Sequence, residues 1–181
     1  SSVRPSGLIA VNLEEGDELG WVRLTQGDQH VIVVTERGQA LRFRESDVRA
    51  TGRASRGVYA IKLDPDDYVV SACTVIPGAD LLVVTTKGYG KRTSLSKFRA
   101  QGRYGKGIRC LNKKLERIGV IAAARVVQPG EEVTLISSDG IVLRTSVDDI
   151  PRMGRATQGV KMMELKEEDE VASVAVVCND K

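Results

Sequence analysis

Between Ser71 and Arg109 the apolar and polar positions fall into short extended runs punctuated by turn residues. Ser71–Ile76 reads as a strand, Pro77-Gly78-Ala79-Asp80 as a turn, and Leu81–Thr86 as a second strand rich in Leu and Val. Lys87-Gly88 reverses the chain and Gly90–Ser94 returns it; a longer loop, Leu95–Lys106, then leads to a fourth strand beginning at Gly107. Elsewhere the same reversal falls at Arg37-Gly38 and at Asp139-Gly140. The second is a strong hairpin dipeptide, because a type I′ turn needs positive φ at both central residues. Val58–Leu63 matches the fourth strand. Glu45–Val48, Leu95–Phe98 and Val147–Ile150 can each hold one short helical turn, with Pro151 ending the third. Helix is otherwise scarce, and the chain reads as all-β.

The pattern recurs. Gly38, Gly88 and Gly140 stand 50 and 52 residues apart, as do Gly52, Gly102 and Gly154, and Gly57, Gly107 and Gly159. Arg53, Arg103 and Arg155 each follow the second glycine, and Arg42, Arg92 and Arg144 each fall four residues after the first. Five columns in register over three copies define a repeat. Full copies cover roughly 20–69, 70–119 and 120–171, with a part copy at 1–19 and a part strand at 172–181. Four strands per repeat of about 50 residues predict a propeller-like array of four-stranded blades, three of them full. Because the chain begins and stops inside a repeat, it reads as a piece of a longer repeat domain.

Charge changes the picture more than composition does. The net charge is only +3, yet residues 70–119 carry eleven basic and two acidic side chains, a net charge of +9. Residues 120–171 carry six and ten. A concentrated positive block points to an anionic partner. Acidic turns close the other copies, at Glu14–Glu18, Asp64–Asp67 and Lys166–Glu170, and read as solvated; the middle copy has Asn112-Lys113-Lys114 instead. Cys73, Cys110 and Cys178 form no C-x-x-C pair and read as small core residues of a cytosolic protein. No stretch approaches a membrane span, and Ser1-Ser2-Val3-Arg4-Pro5 lacks the apolar core of a signal peptide.

The most distinctive stretch is Arg99–Arg109. Its three glycines at spacings of three and two are interleaved with basic residues and no acid. Glycine tolerates positive φ, so such a loop can turn its amides outward into an anion-binding concavity rimmed by Arg and Lys. A phosphate chain suits it; a plain turn loop is the alternative. No P-loop run is present, and His30 is the only histidine, so no Ser/His/Asp set can be built. The acidic turns lack the calcium-loop pattern. Neither metal nor cofactor is expected.

These motifs resemble the C-terminal repeats of the type IIA topoisomerases, and most closely the C-terminal domain of DNA gyrase A. The resemblance covers essentially the whole chain. Thr51–Val58 and Met153–Val160 each carry the Gly-Arg step and second glycine of that family's blades. Gln101-Gly102-Arg103-Tyr104-Gly105-Lys106-Gly107 matches five of seven positions of its diagnostic heptapeptide, Gln-Arg-Arg-Gly-Gly-Lys-Gly. Gly102 replaces an arginine and Tyr104 a glycine. The box also lies further along the domain than the family's principal copy.

The resemblance implies a β-pinwheel with DNA bent around its rim. It implies a non-catalytic module binding duplex DNA without regard to sequence, and supporting negative supercoiling by an ATP-hydrolysing gyrase whose active sites lie elsewhere. The partners implied are duplex DNA, the rest of gyrase A, and gyrase B, in the bacterial cytoplasm at the nucleoid, with no membrane and no small-molecule substrate. The phosphate-contact candidates are Arg99, Gln101, Arg103, Lys106 and Arg109, then Lys91, Arg92 and Lys97, then Arg42, Arg44, Arg53 and Arg56, and last Arg144 and Arg155. A hydrogen bond between blades explains the repeated Arg53, Arg103 and Arg155 equally well. Two other readings stand beside this one: the DNA-crossing domain of topoisomerase IV, and a protein-interaction propeller.

Overall fold

The structure is a computed structural model and describes residues 7–177. The signal-peptide reading of residues 1–5 and the core assignment of Cys178 lie outside them. Eleven strands appear in chain order: β1 (His30–Thr35), β2 (Gln39–Arg44), β3 (Val69–Thr74), β4 (Asp80–Thr85), β5 (Tyr89–Ser94), β6 (Ile108–Arg109), β7 (Ile121–Val127), β8 (Glu132–Ser137), β9 (Val142–Ser146), β10 (Val160–Lys161) and β11 (Val171–Val177). The three expected helical turns are present as 3-10 turns at Glu45–Asp47, Leu95–Lys97 and Val147–Asp149. A single α-helical turn, α1 (Leu115–Ile118), was not expected. The fourth-strand match at Val58–Leu63 forms no regular strand among the described residues; Ile61 makes one isolated bridge to Gly105.

The strands form antiparallel sheets in the orders β3-β1-β2-β6, β10-β5-β4-β7 and β11-β8-β9. The sheets are out of phase with the repeats. The two four-stranded sheets take their central hairpin from one repeat and their outer strands essentially from the next: β3, which starts at Val69, and β6 flank the β1–β2 hairpin of 20–69, and in the third sheet β11 pairs with β8. The blade boundaries 20–69, 70–119 and 120–171 therefore cut across sheets. A sequence period gives the length of the repeating unit, and any assignment of strands to sheets that is the same in every copy preserves it.

The hydrophobic pattern explains how the sheets stack. Side chains alternate between faces along a strand. In β4, Leu81 and Val83 enter one core with Ile32, Val34 and Phe98, while Leu82 and Val84 enter a second core with Val133, Leu135 and Ile150. Both faces of the middle sheet are covered, so every residue of β4 is buried. Leu-Val continuity in place of alternation is what such a strand requires. Cys73 and Cys110 are buried in the first core. Burial pushes the Cys110 thiol up to about 12, so it stays protonated.

The hairpin turns differ from expectation. Gly38, Gly88 and Gly140 have positive φ, but Asp139 does not. The N–H of each glycine donates to the carbonyl three residues back, Thr35 (3.1 Å), Thr85 (3.0 Å) and Ser137 (3.0 Å). That is the three-residue hairpin, a type I turn followed by a left-handed glycine, in place of type I′. The Thr35, Thr85 and Ser137 hydroxyls accept from Gln39, Tyr89 and Ile141, each at 3.1 Å.

The acidic turns are exposed except for one structural acid in each of two of them. Asp67 and Asp169 are buried, and their carboxylates accept from the Arg37 and Asp139 amides of the hairpin tips at 2.9 and 3.0 Å. Burial works against the Asp169 carboxylate, but hydrogen bonds from Ser137, Asp139, Glu170 and Ser138 outweigh it and hold its pKa below the usual range. In the middle copy, which lacks the acid, α1 does this work. Its Ile118 carbonyl accepts from the Thr85 hydroxyl, and its Glu116 carbonyl from Lys87 Nζ at 2.6 Å.

Leu82 is fully buried at the interface of the second and third sheets. Leu82→Ala is expected to lower unfolding free energy by about 2–5 kcal/mol, read by urea titration.

Candidate nucleic-acid interface

The long loops after the second and third 3-10 turns lie against the hairpin of the preceding repeat. Ala100 bridges Arg42 and Arg152 bridges Arg92, both in parallel register, and the amides of Gln101 and Met153 donate to the Arg42 and Arg92 carbonyls at 2.7 and 2.8 Å. A Gly-Arg loop follows and is gripped by a segment of the preceding copy. The amides of Asn12, Lys62 and Asn112 donate to Ser55, Gly105 and Thr157 at 3.0, 2.9 and 3.2 Å. The Asn12 and Asn112 side chains reach Ala54 and Ala156 in the same loops, at 2.9 and 3.2 Å. The second and third loops are thus held by backbone on both sides, the first by the Asn12 segment, and their side chains project from a fixed frame.

Many of the expected phosphate contacts are spent inside that frame. Arg42 Nη1 donates to the carbonyls of Leu95 (3.1 Å) and Phe98 (3.4 Å), and its Nε to His30 Nδ1 at 3.3 Å. His30 opens β1 and is half-buried; burial first, then Arg42 and Arg44, lower its pKa. Arg92 repeats the device: Nε donates to Ile150 O at 2.7 Å and Nη2 to Asp148 O at 3.3 Å. Its Nη1 lies 3.5 Å from the buried Asp80, which also takes Arg152, a residue sequence reasoning passed over, at 2.7 Å. Both repeated arginines therefore tie a hairpin to the 3-10 turn of the following repeat. Arg103 donates to Asp47 O at 2.8 Å and Tyr59 O at 2.9 Å, the inter-repeat hydrogen bond that the sequence left open.

Lys91 corrects the sequence reading outright. It is fully buried, and its Nζ donates to Gly154 O (2.8 Å), Arg155 O and Thr157 Oγ1 (3.0 Å). A buried ammonium touching three acceptors cannot reach a phosphate. Leu41 and Leu143 hold its place in the other copies, and Leu41 lies beneath Gly105 of the middle loop. The middle blade thus carries its neighbouring Gly-Arg loop on hydrogen bonds where the first uses apolar contact. Burial lowers the Lys91 pKa to about 8.

The remaining candidates face outward. Arg44, Arg53, Lys97 and Arg99 are exposed; Gln101, Arg109 and Arg155 are half-buried. The Gln101 amide nitrogen is buried without a hydrogen-bond partner. Lys106, Arg56 and Arg144 are exposed and ion-paired to Asp64 (3.0 Å), Glu14 (3.1 Å) and Glu132. Exposed pairs of this kind are weak and exchangeable. Of the box, Gly107 has φ +77 and packs on Ala40, Gly102 is open, Gly105 meets Leu41, and Tyr104 is exposed at φ 62. No acid occurs between Asp80 and Glu116, so Lys97 and Arg99 lie in a segment of one charge sign, while Lys106 meets Asp64 of the preceding copy. Sequence reasoning also missed the outward Lys62 and Arg49, whose only signal was their place beside the Gly-Arg loop. Among the described residues no cluster of His, Cys, Asp and Glu could hold a metal, and no helix is long and apolar enough to cross a membrane.

The family model described as DNA gyrase C-terminal domain, beta-propeller, matches residues 2–25, 29–72, 79–128 and 131–178. The chain is similar to DNA gyrase A of Halalkalibacterium halodurans, 48% identical over 177 residues, which covers 98% of this chain and 21% of the relative. It is likewise similar to DNA gyrase A of Haloquadratum walsbyi, 42% identical, covering 96% and 20%. The chain thus spans about a fifth of the curated relatives it matches. Among solved structures, a DNA gyrase A C-terminal domain superposes with a TM-score of 0.87 at 29% identity, over 96% of this chain and 59% of that one. The C-terminal domain of DNA topoisomerase IV gives 0.92 at 28%, over 97% and 55%.

The depressed Lys91 pKa has a stability consequence with a definite sign. Between about 8 and the ordinary 10.5 the unfolded chain binds more protons at this group, so its contribution to stability rises with pH. The stability of the native chain relative to Lys91→Met is expected to increase from pH 7.5 to pH 9.5, read by urea unfolding at each pH.

Proposed function

The chain belongs to the DNA gyrase C-terminal domain family, and from that footing we propose that it binds and wraps duplex DNA through the phosphate backbone. The single observation that carries the reading is the acid-free run from residue 81 to 115, whose exposed Lys97, Arg99 and Lys106 project from loops fixed by backbone hydrogen bonds. Cations on a rigid frame neutralise phosphates and release counterions without a reading helix, so binding is salt-steep and indifferent to sequence. Contacts spread over successive loops favour DNA that bends toward them, and the bend costs about 1–6 kcal/mol for 20–30 base pairs. In the whole enzyme, with the rest of gyrase A and with gyrase B, the wrapped segment serves ATP-dependent negative supercoiling in the bacterial cytoplasm. The module itself carries no catalytic group and no cofactor.

A second reading has an observation in its favour. The superposition on the topoisomerase IV C-terminal domain is as close as that on gyrase, and Arg103 of the box is spent on carbonyls. A domain that recognises DNA crossings would bind salt-steeply but leave a lone duplex straight.

The test separates exposed cations from structural ones. Lys97→Ala with Arg99→Ala is expected to flatten the slope of log K against log salt by about 1–2, since each phosphate contact contributes about −0.9. Arg92→Ala is expected to cost about 1–3 kcal/mol of stability by leaving buried acceptors unpaired, with the salt slope of the folded protein unchanged.

A further inference from the structure

Aromatic residues are few in this chain, and the two phenylalanines, Phe43 and Phe98, are buried. Two of the four tyrosines nevertheless stack on each other in the open. The Tyr59 and Tyr104 rings lie 5.2 Å apart, tilted by 37°, and the residues are 75% and 53% exposed. Tyr104 adopts φ 62, a left-handed conformation that disfavours a bulky side chain. The other non-glycine residues with positive φ, Asp66 and Glu168, sit in acidic turns, and the counterparts Ala54 and Ala156 are not among them. Strain of this kind is usually recovered by burial, yet this ring remains half in solvent. Strain that burial does not recover points to function.

The surroundings hold both rings in place. The Tyr104 amide donates to Ala60 O at 2.8 Å, Arg103 Nη1 to Tyr59 O at 2.9 Å, and the Lys62 amide to Gly105 O at 2.9 Å. Tyr59 also borders a shallow groove with Val58, Arg56, Glu14 and Asp17. Exposed Lys62 and Lys106 follow the two tyrosines along the same segments. A rigid aromatic pair beside cations suits a nucleobase, whose π-face stacks on tyrosine while the adjoining phosphates meet Lys and Arg. Bases in a relaxed duplex are already stacked, so only a kinked or unpaired step offers that face.

We propose that Tyr59 and Tyr104 form an aromatic wedge that stacks on an unstacked base of deformed duplex DNA and directs this module to deformable sites. The inference rests on the DNA-binding reading above. It adds a contact independent of charge, which Lys97 and Arg99 cannot supply.

Tyr104→Gly is a clean probe, because glycine relieves the strain at positive φ and removes only the ring. Fluorescence anisotropy would compare an intact duplex with the same duplex carrying a central unpaired bulge, across a salt series. The native chain is expected to prefer the bulged duplex by about tenfold, the scale of one base–aromatic stack. Tyr104→Gly is expected to lose most of that preference while keeping its affinity for intact duplex and its salt slope, and Tyr59→Leu to act in the same direction. A preference that survives both substitutions, or no preference in the native chain, overturns the wedge. Absence of salt-dependent binding to either duplex overturns the DNA-binding reading beneath it, a distinguishable result.

Discussion

The structure depends on strand donation between repeats. The first two hairpins are flanked on both sides by strands from the following repeat and the third, β8–β9, is flanked by β11 alone, so no repeat closes a sheet by itself. The crossing is fixed by close backbone approach. A side chain on Gly107 would come within 2.8 Å of the Ala40 carbonyl oxygen, and one on Gly159 within 2.5 Å of that of Gly90. Both glycines have positive φ, which turns the chain onto the outer edge of the preceding hairpin. Gly57, the same column in the first copy, also has positive φ but meets nothing within 4 Å. Arg42 and Arg92 then close the join by donating to carbonyls of the next 3-10 turn, acceptors that would be costly to leave unpaired.

Exposure sorts the cations. Arg42, Arg92 and Arg103, at fixed repeat positions, and the buried Lys91, whose column holds leucine in the other copies, satisfy carbonyls across the join. On the outer loops they stay in water, where Lys97 and Arg99 dominate the basic middle copy. The same Gly-Arg loops serve both ends. Their backbone binds the frame and their remaining side chains face outward, so the positive surface is held on a hydrogen-bonded scaffold.

Much of this was legible in the sequence. The five columns marked the repeat, the Leu-Val run of β4 marked a strand, whose burial on both faces only the structure shows, and the three short helical turns fell where expected. The phase of the sheets was not legible, since a period is silent on which copy completes a sheet. Asp139-Gly140 suggested a type I′ turn because the dipeptide permits it, but the Ser137 hydroxyl and the Asp169 cap favour the three-residue form. The missing acid of the middle copy was visible, while its replacement by the carbonyls of α1 was not, because backbone acceptors leave no residue signature. Lys91 could have been caught: its column holds leucine in the other copies, an inward position. Arg42 and Arg92 recur in repeats of different charge and both are structural, whereas Arg144 of the same column is exposed and pairs with Glu132.

The claim that the outer loops of these repeats bind and bend DNA is tested most directly by the end-to-end distance of a doubly labelled duplex of roughly 40 base pairs, long enough for a measurable bend, titrated with this chain over a salt series. The account predicts a shortened distance at saturation that returns toward the free value as salt rises. Binding that leaves the distance unchanged, or no binding at low salt, would contradict it.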